Sequence, residues 1–204
     1  MKRTIDFFFA IGSRYSYLAS TQLESLEQEM GCHFDWLPID STALLEHRGV
    51  NPFMGSPISG QYEWGYRELD AMRWASLYGV PFREPRGRVH FDPRLLALAA
   101  TAAKRLNHVV ACSRALFAGM FVEAVTEFDE SECARRAQAC GINPEIFRTE
   151  LSSAPTAESL QATLERALLA RVFGVPSFVV DGQVFWGNDR LMLLRNYLSA
   201  HAGT

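Results

Sequence analysis

The sequence lacks the features that mark nucleic-acid-binding and membrane-spanning proteins. Acids and bases are dispersed, with 20 Lys and Arg against 23 Asp and Glu, so the net charge is −3 and the sequence suggests no basic patch. Nucleic-acid binding requires such a patch. No apolar run reaches the roughly 18 residues of a membrane span, and the apolar stretch near the N-terminus is too short for a signal peptide. We therefore expect a cytoplasmic protein without nucleic-acid or membrane partners.

Cysteine is scarce, and its spacing excludes a redox pair. Cys32, Cys112, Cys133 and Cys140 form no Cys-x-x-Cys motif. Cys133 and Cys140 lie about two turns apart on a helical pattern, which is too far for a disulfide. The five histidines show no ligand spacing. We expect four idle thiols and no metal site.

The C-terminal part of the chain predicts a β-hairpin followed by a helix. Ser177 to Val180 is rich in strand-forming residues, and Asp181-Gly182 is a strong two-residue hairpin signal. Gln183 to Trp186 then forms the returning strand. Gly187-Asn188-Asp189 supplies turn and N-cap residues ahead of an apolar-periodic helix over Leu191 to Leu198.

The N-terminal part predicts a β-α-β unit. Thr4 to Phe9 is a buried strand, Tyr15 to Met30 carries a helical apolar stripe, and His33 to Ile39 is a second strand. The segment from Asp40 to about Arg171 has no convincing strand and is mostly helical. Its predicted helices are Glu63 to Tyr78, Pro93 to Leu106, His108 to Thr126, Ser131 to Cys140, Pro144 to Leu151 and Ala157 to Arg171.

This order of elements, with Val175-Pro176 directly before the hairpin, resembles the thioredoxin fold, in which that proline is cis. The implied fold class is α/β: a thioredoxin-like domain (β-α-β … β-β-α) with a large all-helical insertion. Residues 1–40 and 172–204 would form the thioredoxin-like domain, and residues 41–171 the insertion. We expect a ligand-binding cleft between the two.

In a thioredoxin-like layout the loop after the first strand faces the proline. Here that loop contains no cysteine, and Ser13 stands where the nucleophilic cysteine would be. Thiol–disulfide exchange at this site is therefore excluded. The Ser13 hydroxyl and the amides of the following helix can donate to an anion, and they would favour the thiolate of a bound thiol. The alternative is that Ser13 or Ser16 only caps the helix.

Two motifs resemble the family of 2-hydroxychromene-2-carboxylate isomerases and kappa-class glutathione transferases, which are glutathione-dependent relatives of the disulfide oxidoreductase DsbA. The family motif Ser-Pro-Tyr/Phe-Ser-Tyr corresponds to Ser13-Arg14-Tyr15-Ser16-Tyr17. The more specific motif, Gly-Val-Pro-Thr/Ser-Phe followed by Phe-x-Gly-x-Asp-Arg, corresponds to Gly174 to Phe178 and Phe185 to Arg190. The resemblance spans nearly the whole chain and implies a homodimer.

The resemblance also implies roles for individual residues. Ser13 would hydrogen-bond the glutathione sulfur. Val175, held by a cis Pro176, would pair its backbone with the cysteinyl part of glutathione as an added strand does. Asn188 and Asp189 would hold the γ-glutamyl end, where helix amides suit its carboxylate and the Asp189 side chain suits its ammonium group.

The chain departs from the family at two places. The family has a Lys-x-x-Gly-Asn segment that contacts ligand or glutathione; here Asn51 matches its asparagine, but His47 stands where the lysine is expected. Arg48 would supply the positive charge instead, or the loop has no role. Arg14 replaces the motif proline. It would stabilise a thiolate if it turned inward; the alternative is that it points to solvent.

A group of aromatic residues lies in or near the first helix of the insertion: Tyr62, Trp64, Tyr66, Trp74 and Tyr78. On a helix that faces a cleft they would form a pocket for a flat aromatic substrate. Their spacing alone makes most of them core residues, so none is assigned to the site.

The function implied by the resemblance is glutathione-dependent cis-trans isomerisation of 2-hydroxychromene-2-carboxylate or a similar aryl 2-oxo acid, in aromatic catabolism. Glutathione would be a cofactor whose thiolate adds to the conjugated carbon, allows rotation and is then eliminated. One alternative is a kappa-like glutathione transferase, which consumes glutathione. Another is a non-catalytic thioredoxin-like binding protein.

Overall fold

The computed structural model describes residues 2–47, 49, 59–123 and 125–201. Six strands lie in these residues: Thr4–Phe9 (β1), His33–Pro38 (β2), His90–Phe91 (β3), Glu127–Phe128 (β4), Ser177–Val180 (β5) and Gln183–Trp186 (β6). Four of them form one sheet in the order β2-β1-β5-β6. β1 runs parallel to β2, whereas β5 is antiparallel to both β1 and β6.

Ten α-helices lie in the described ranges. They are Arg14–Ser20 (α1), Leu23–Met30 (α2), Ser41–His47 (α3), Trp64–Tyr78 (α4), Pro93–Arg105 (α5), Val109–Phe121 (α6), Glu130–Ala139 (α7), Pro144–Leu151 (α8), Ala154–Leu169 (α9) and Leu191–Ala200 (α10). Two 3₁₀ turns, Gly60–Tyr62 and Asn188–Arg190, precede α4 and α10. The predicted order of a β-α-β unit, a helical segment and a β-β-α unit is therefore observed.

The single helix predicted over Tyr15 to Met30 is wrong, because the chain forms two helices there. At the break, the Thr21 hydroxyl donates to the Leu18 carbonyl. The Gln22 amide donates to the Ala19 carbonyl, three residues back. These tighter bonds end α1 before α2 begins. An apolar stripe continues across such a break, so periodicity alone does not reveal it.

The expectation that the middle of the chain has no strand is also wrong. β3 and β4 pair in parallel, and the His90 amide donates to the Thr126 carbonyl at 2.8 Å. The helix predicted as far as Thr126 accordingly ends at Phe121. Two-residue strands are too short to show the alternation on which strand prediction depends.

Aromatic side chains from β1 join the sheet to the helices. The ring of Phe7 stacks on those of Phe9 and Phe178, each with centroids 5.1 Å apart. Phe9 in turn contacts Phe117 of α6 at 5.9 Å. One hydrophobic cluster thus includes residues of both predicted domains, and the predicted domain boundaries remain a prediction. Packed aromatic rings of this size dominate core energetics, so the sheet and α6 are held in a fixed relation.

The described helices include none that is both long and apolar enough to cross a membrane. The four cysteines are free: Cys32, Cys112 and Cys133 are buried, and Cys140 is partly exposed.

Candidate functional site

Strand register brings the predicted site residues to one edge of the sheet. Phe8 of β1 pairs with Ser177 of antiparallel β5, so the loop that leaves β1 lies beside Val175-Pro176, which enters β5. Ser177 also pairs with Trp186 in the hairpin, so the turn after β6 begins at the same edge. Helix α1 packs against that turn. The loop of Ser13, the proline and the Asn188–Arg190 turn therefore lie at the same edge of the sheet.

Ser13 is the N-cap of α1. Its hydroxyl oxygen accepts from the Ser16 amide at 3.2 Å, and its own amide donates to the Ala10 carbonyl. The side chain is half-buried. A hydroxyl has two lone pairs and one hydrogen, so the capping bond leaves the hydrogen free to donate to a ligand. The capping role and the anion-stabilising role are compatible in this geometry.

The peptide bond between Val175 and Pro176 is cis, which confirms that prediction. The Pro176 carbonyl accepts from the Gly187 amide at 2.9 Å, and the Ser177 hydroxyl donates to the Gly174 carbonyl at 2.7 Å. These bonds hold the segment on both sides. Within the described residues no backbone hydrogen bond engages Val175, so its amide and carbonyl are available to an extended ligand.

Asn188 lies at the centre of the turn after β6. Its side chain is buried, and the amide nitrogen Nδ2 has no partner among the described residues. A buried donor without a partner costs free energy, about 1–3 kcal/mol. Natural proteins retain such groups where they have a role. The Asn188 backbone carbonyl accepts from the Tyr78 hydroxyl at 3.3 Å.

The expectation that Asn188 and Asp189 cap the last helix is wrong. Both residues belong to a 3₁₀ turn, and α10 begins only at Leu191, with Arg190 at the N-cap and no side-chain capping bond. The Asp189 carboxylate instead forms an ion pair with Arg190 and is partly exposed. The Asp189 side chain is thus more exposed than that of Asn188.

The contribution predicted for the Asn51 segment stays a prediction. Asn51 and Arg48 lie outside the described residues. His47, at the end of α3, is exposed.

The Arg14 side chain points into the protein and not to solvent. Of the two orientations considered from the sequence, the structure therefore shows the inward one. Its guanidinium Nη2 donates to the Glu84 carboxylate at 2.9 Å, and both side chains are only 7% exposed. Only one guanidinium nitrogen and one carboxylate oxygen take part in the pair. Arg14 Nη1 and Glu84 Oε2 are both buried without a partner among the described residues. Burial lowers the pKa of Arg14, while the Glu84 charge opposes that shift.

Three arginine guanidinium groups lie close to the ring of Trp64, next to this pair. The guanidinium carbons of Arg14, Arg67 and Arg86 lie 5.3, 4.9 and 4.8 Å from its ring centroid. Such distances are within the range of a cation–π interaction. Sequence reasoning did not assign Trp64 or Tyr78 to the site. Nothing in the sequence pairs Arg14 with Glu84, because 70 positions separate them.

The unpaired donors of this region suit an anionic ligand. The Ser13 hydroxyl, the Asn188 amide and Arg14 Nη1 have hydrogens that the described residues leave unpaired. Hydrogen bonds from such groups favour the charged form of a bound thiol or carboxylate. The described part of the chain contains no group of His, Cys, Asp or Glu side chains arranged to hold a metal ion.

Comparison with known proteins finds relatives over nearly the whole chain. The chain is 28% identical over 207 residues to the 2-hydroxychromene-2-carboxylate isomerase of Sphingobium xenophagum, covering 97% of this chain and 99% of that protein. It is 28% identical to that of Pseudomonas putida over 193 residues, covering 94% and 92%. A solved 2-hydroxychromene-2-carboxylate isomerase structure superposes with a TM-score of 0.84 at 26% identity, covering 98% of this chain and 96% of that one.

The family itself follows from a match to the model of the DsbA-like thioredoxin domain, which covers residues 4–199. This confirms the predicted fold class, a thioredoxin-like domain with a helical insertion. The chain belongs to the DsbA-like thioredoxin domain family.

Proposed function

We propose that the protein is a glutathione-dependent isomerase of 2-hydroxychromene-2-carboxylate or a similar aryl 2-oxo acid. One observation carries the proposal: the loop with Ser13, in place of a cysteine, leaves β1 at the same edge of the sheet as the cis Pro176 and the turn with the unpaired Asn188 amide. Relatives named 2-hydroxychromene-2-carboxylate isomerase, aligned over nearly the whole chain, support the choice of reaction.

The site residues divide the binding of glutathione between them. The Val175 backbone pairs with the cysteinyl part, as in strand addition. The Asn188 amide nitrogen donates to the γ-glutamyl carboxylate, and the partly exposed Asp189 carboxylate receives the ammonium group. Asn51 contributes from the segment after α3.

When bound, glutathione supplies the nucleophile, a thiolate that adds reversibly to the conjugated carbon and leaves a single bond free to rotate. Ser13 donates its hydroxyl hydrogen to the sulfur and so lowers the pKa of the thiol. No general base is needed, because the thiol is already ionised when the substrate arrives. Donors preorganised around the substrate oxygens stabilise the negative charge that develops there.

The test is a turnover assay with glutathione at a small fraction of the substrate concentration. We expect 2-hydroxychromene-2-carboxylate to reach equilibrium with its isomer over many turnovers per glutathione, with no loss of titratable thiol. S-methylglutathione, which lacks the thiol, is the matched control and should support no conversion. Loss of one thiol per product would identify the kappa-like transferase instead. Binding without conversion would identify a non-catalytic binding protein.

The proposal includes a homodimer, as the family resemblance implies, in the cytoplasm, as expected from the sequence. Sedimentation equilibrium of the purified protein tests the dimer. A mass equal to one chain of 22.9 kDa would contradict it.

A further inference from the structure

The inward-pointing Arg14 is a departure from the family motif that the proposed binding of glutathione does not use. It occupies the first position of α1, next to Ser13, where the motif has proline. Its charged side chain is more than nine-tenths buried, and one arm of the guanidinium is unpaired among the described residues. A buried arginine usually binds a carboxylate with both arms. This one keeps an arm available.

The partner of Arg14 is placed so that it satisfies only half of the interaction. Glu84 Oε1 accepts from Arg14 Nη2 and also from the backbone amide of Arg86 at 3.1 Å. The second oxygen, Oε2, has no partner in the described residues. The buried pair therefore offers one unused donor and one unused acceptor. A ligand with a carboxylate beside a hydroxyl or carbonyl-hydrate group complements both.

The surroundings of the pair suit an aromatic anion. Trp64 is half-buried, and Arg86, whose guanidinium lies over the Trp64 ring, is exposed. Because the Arg86 side chain is exposed, we expect it to move aside and admit a ligand to the ring and to Arg14. Two carboxylates lie nearby: Asp70 accepts from the Tyr15 hydroxyl at 2.8 Å, and exposed Glu68 interacts electrostatically with Arg14. Neither forms a direct ion pair with Arg14 among the described residues.

We propose that Arg14 and Glu84, flanked by Trp64 and Arg86, form the subsite that binds the carboxylate of an aryl acid substrate. The inference rests on the proposed function for the identity of the reaction. The binding of an aryl carboxylate at this subsite does not depend on that function. A carboxylate at Arg14 Nη1 forms a charge-assisted hydrogen bond away from water, where such a bond is strong. The aryl ring then lies against Trp64, and Arg86 closes over it.

The test is calorimetric binding of trans-cinnamate and of its neutral methyl ester, without glutathione. The two probes share the flat conjugated aryl group and differ in charge. The wild-type protein should bind the acid at least about tenfold more tightly than the ester. Arg14→Pro should lose most of this preference, because only the flanking arginines then remain to attract the charge. Proline is well tolerated at the first position of a helix. If the single variant is unstable because the Glu84 carboxylate is left without its partner, the double variant Arg14→Pro/Glu84→Gln removes that carboxylate as well.

Two further variants separate a local role from structural damage. Cinnamate has no hydroxyl for Glu84 to accept from, so towards this probe the Glu84 carboxylate is only a repelling charge. Glu84→Gln should therefore bind the acid several-fold more tightly, an effect opposite in sign to that of Arg14→Pro. Arg86→Ala should weaken the acid about threefold to tenfold. Arg88→Ala removes an equally exposed arginine of the same loop and should leave binding unchanged.

The proposal is overturned if the wild-type protein shows no preference for the acid, or if Arg14→Pro keeps that preference. It is also overturned if Arg14→Pro weakens the binding of glutathione instead of the binding of cinnamate, because Arg14 would then bind a carboxylate of glutathione. Glutathione binding by the wild type is measured separately. If the wild type does not bind glutathione, the proposed function is contradicted, but the comparison between the acid and the ester still tests the subsite.

Discussion

The Tyr78 hydroxyl, at the end of α4, donates a hydrogen bond to the backbone carbonyl of Asn188 at 3.3 Å. This bond joins the helical segment to the turn that carries the proposed γ-glutamyl contact. Burial raises the pKa of Tyr78, so the hydroxyl stays protonated and able to donate throughout the neutral range. The helical segment thereby positions a residue of the thioredoxin-like part.

Tyr78→Phe should loosen this turn. We expect a stability loss of about 0.5–1.5 kcal/mol, the usual net value of one hydrogen bond. We also expect glutathione to bind threefold to tenfold more weakly, because Asn188 would be less well placed. A loss of about 1 kcal/mol in binding free energy corresponds to that factor. Urea unfolding and calorimetry measure the two. Tyr66→Phe, at a tyrosine 49% exposed on the same helix, is the control and should change neither.

Asn188→Leu should separate stability from binding. Leucine is similar in size and removes a buried amide nitrogen that has no partner in the described residues. Replacing an unpaired buried polar group with an apolar one is neutral or stabilising, by up to about 1–3 kcal/mol. Glutathione affinity should nevertheless fall about tenfold or more. A variant that loses stability but keeps its affinity would show that Asn188 has only a structural role.

Gly187→Ala should be strongly destabilising. Gly187 has φ of 110°, a conformation that side-chain-bearing residues rarely adopt, and an added Cβ would lie 2.3 Å from Asp189 Oδ1. We expect a loss of about 1–3 kcal/mol in thermal or urea unfolding. Gly65→Ala is the matched control: it lies in α4, and its Cβ would meet open space. Because alanine favours helix, that change should stabilise by up to about 1 kcal/mol.

The buried thiols predict an alkaline loss of stability. Burial raises the pKa of Cys112 and of Cys133 from 9.0 to about 12 each. In the unfolded chain both thiols ionise near their ordinary pKa, so between pH 9 and 12 the folded state holds more protons than the unfolded state. Stability must therefore fall as the pH rises through this window.

Urea unfolding as a function of pH measures this slope. Cys112→Ala should make it shallower above pH 9, whereas replacement of the partly exposed Cys140 should alter it less. Equal slopes in wild type and Cys112→Ala would show that the thiol ionises freely in the folded protein.

Local signals predicted the sheet well. The bounds of β1, β5 and β6 match the prediction because each strand is bulky and bounded by turn residues. The Thr21–Gln22 break and the β3–β4 pair left no such signal. The motifs also pointed to Ser13 and to a cis Pro176. The Arg14–Glu84 pair could not be predicted, because it joins residues that come together only when the helical segment packs on α1.

The measurement that tests the account most directly is glutathione binding by calorimetry, with a thiolate absorbance scan near neutral pH. Wild type should bind with a thiolate signal that Ser13→Ala abolishes. Ser153→Ala is the control, since Ser153 caps α9 with the same 3.2 Å bond to a backbone amide. Each variant should lose about 1 kcal/mol of stability, but only Ser13→Ala should lose the signal. No binding at millimolar glutathione, or an equal signal in Ser13→Ala, would contradict the central claim.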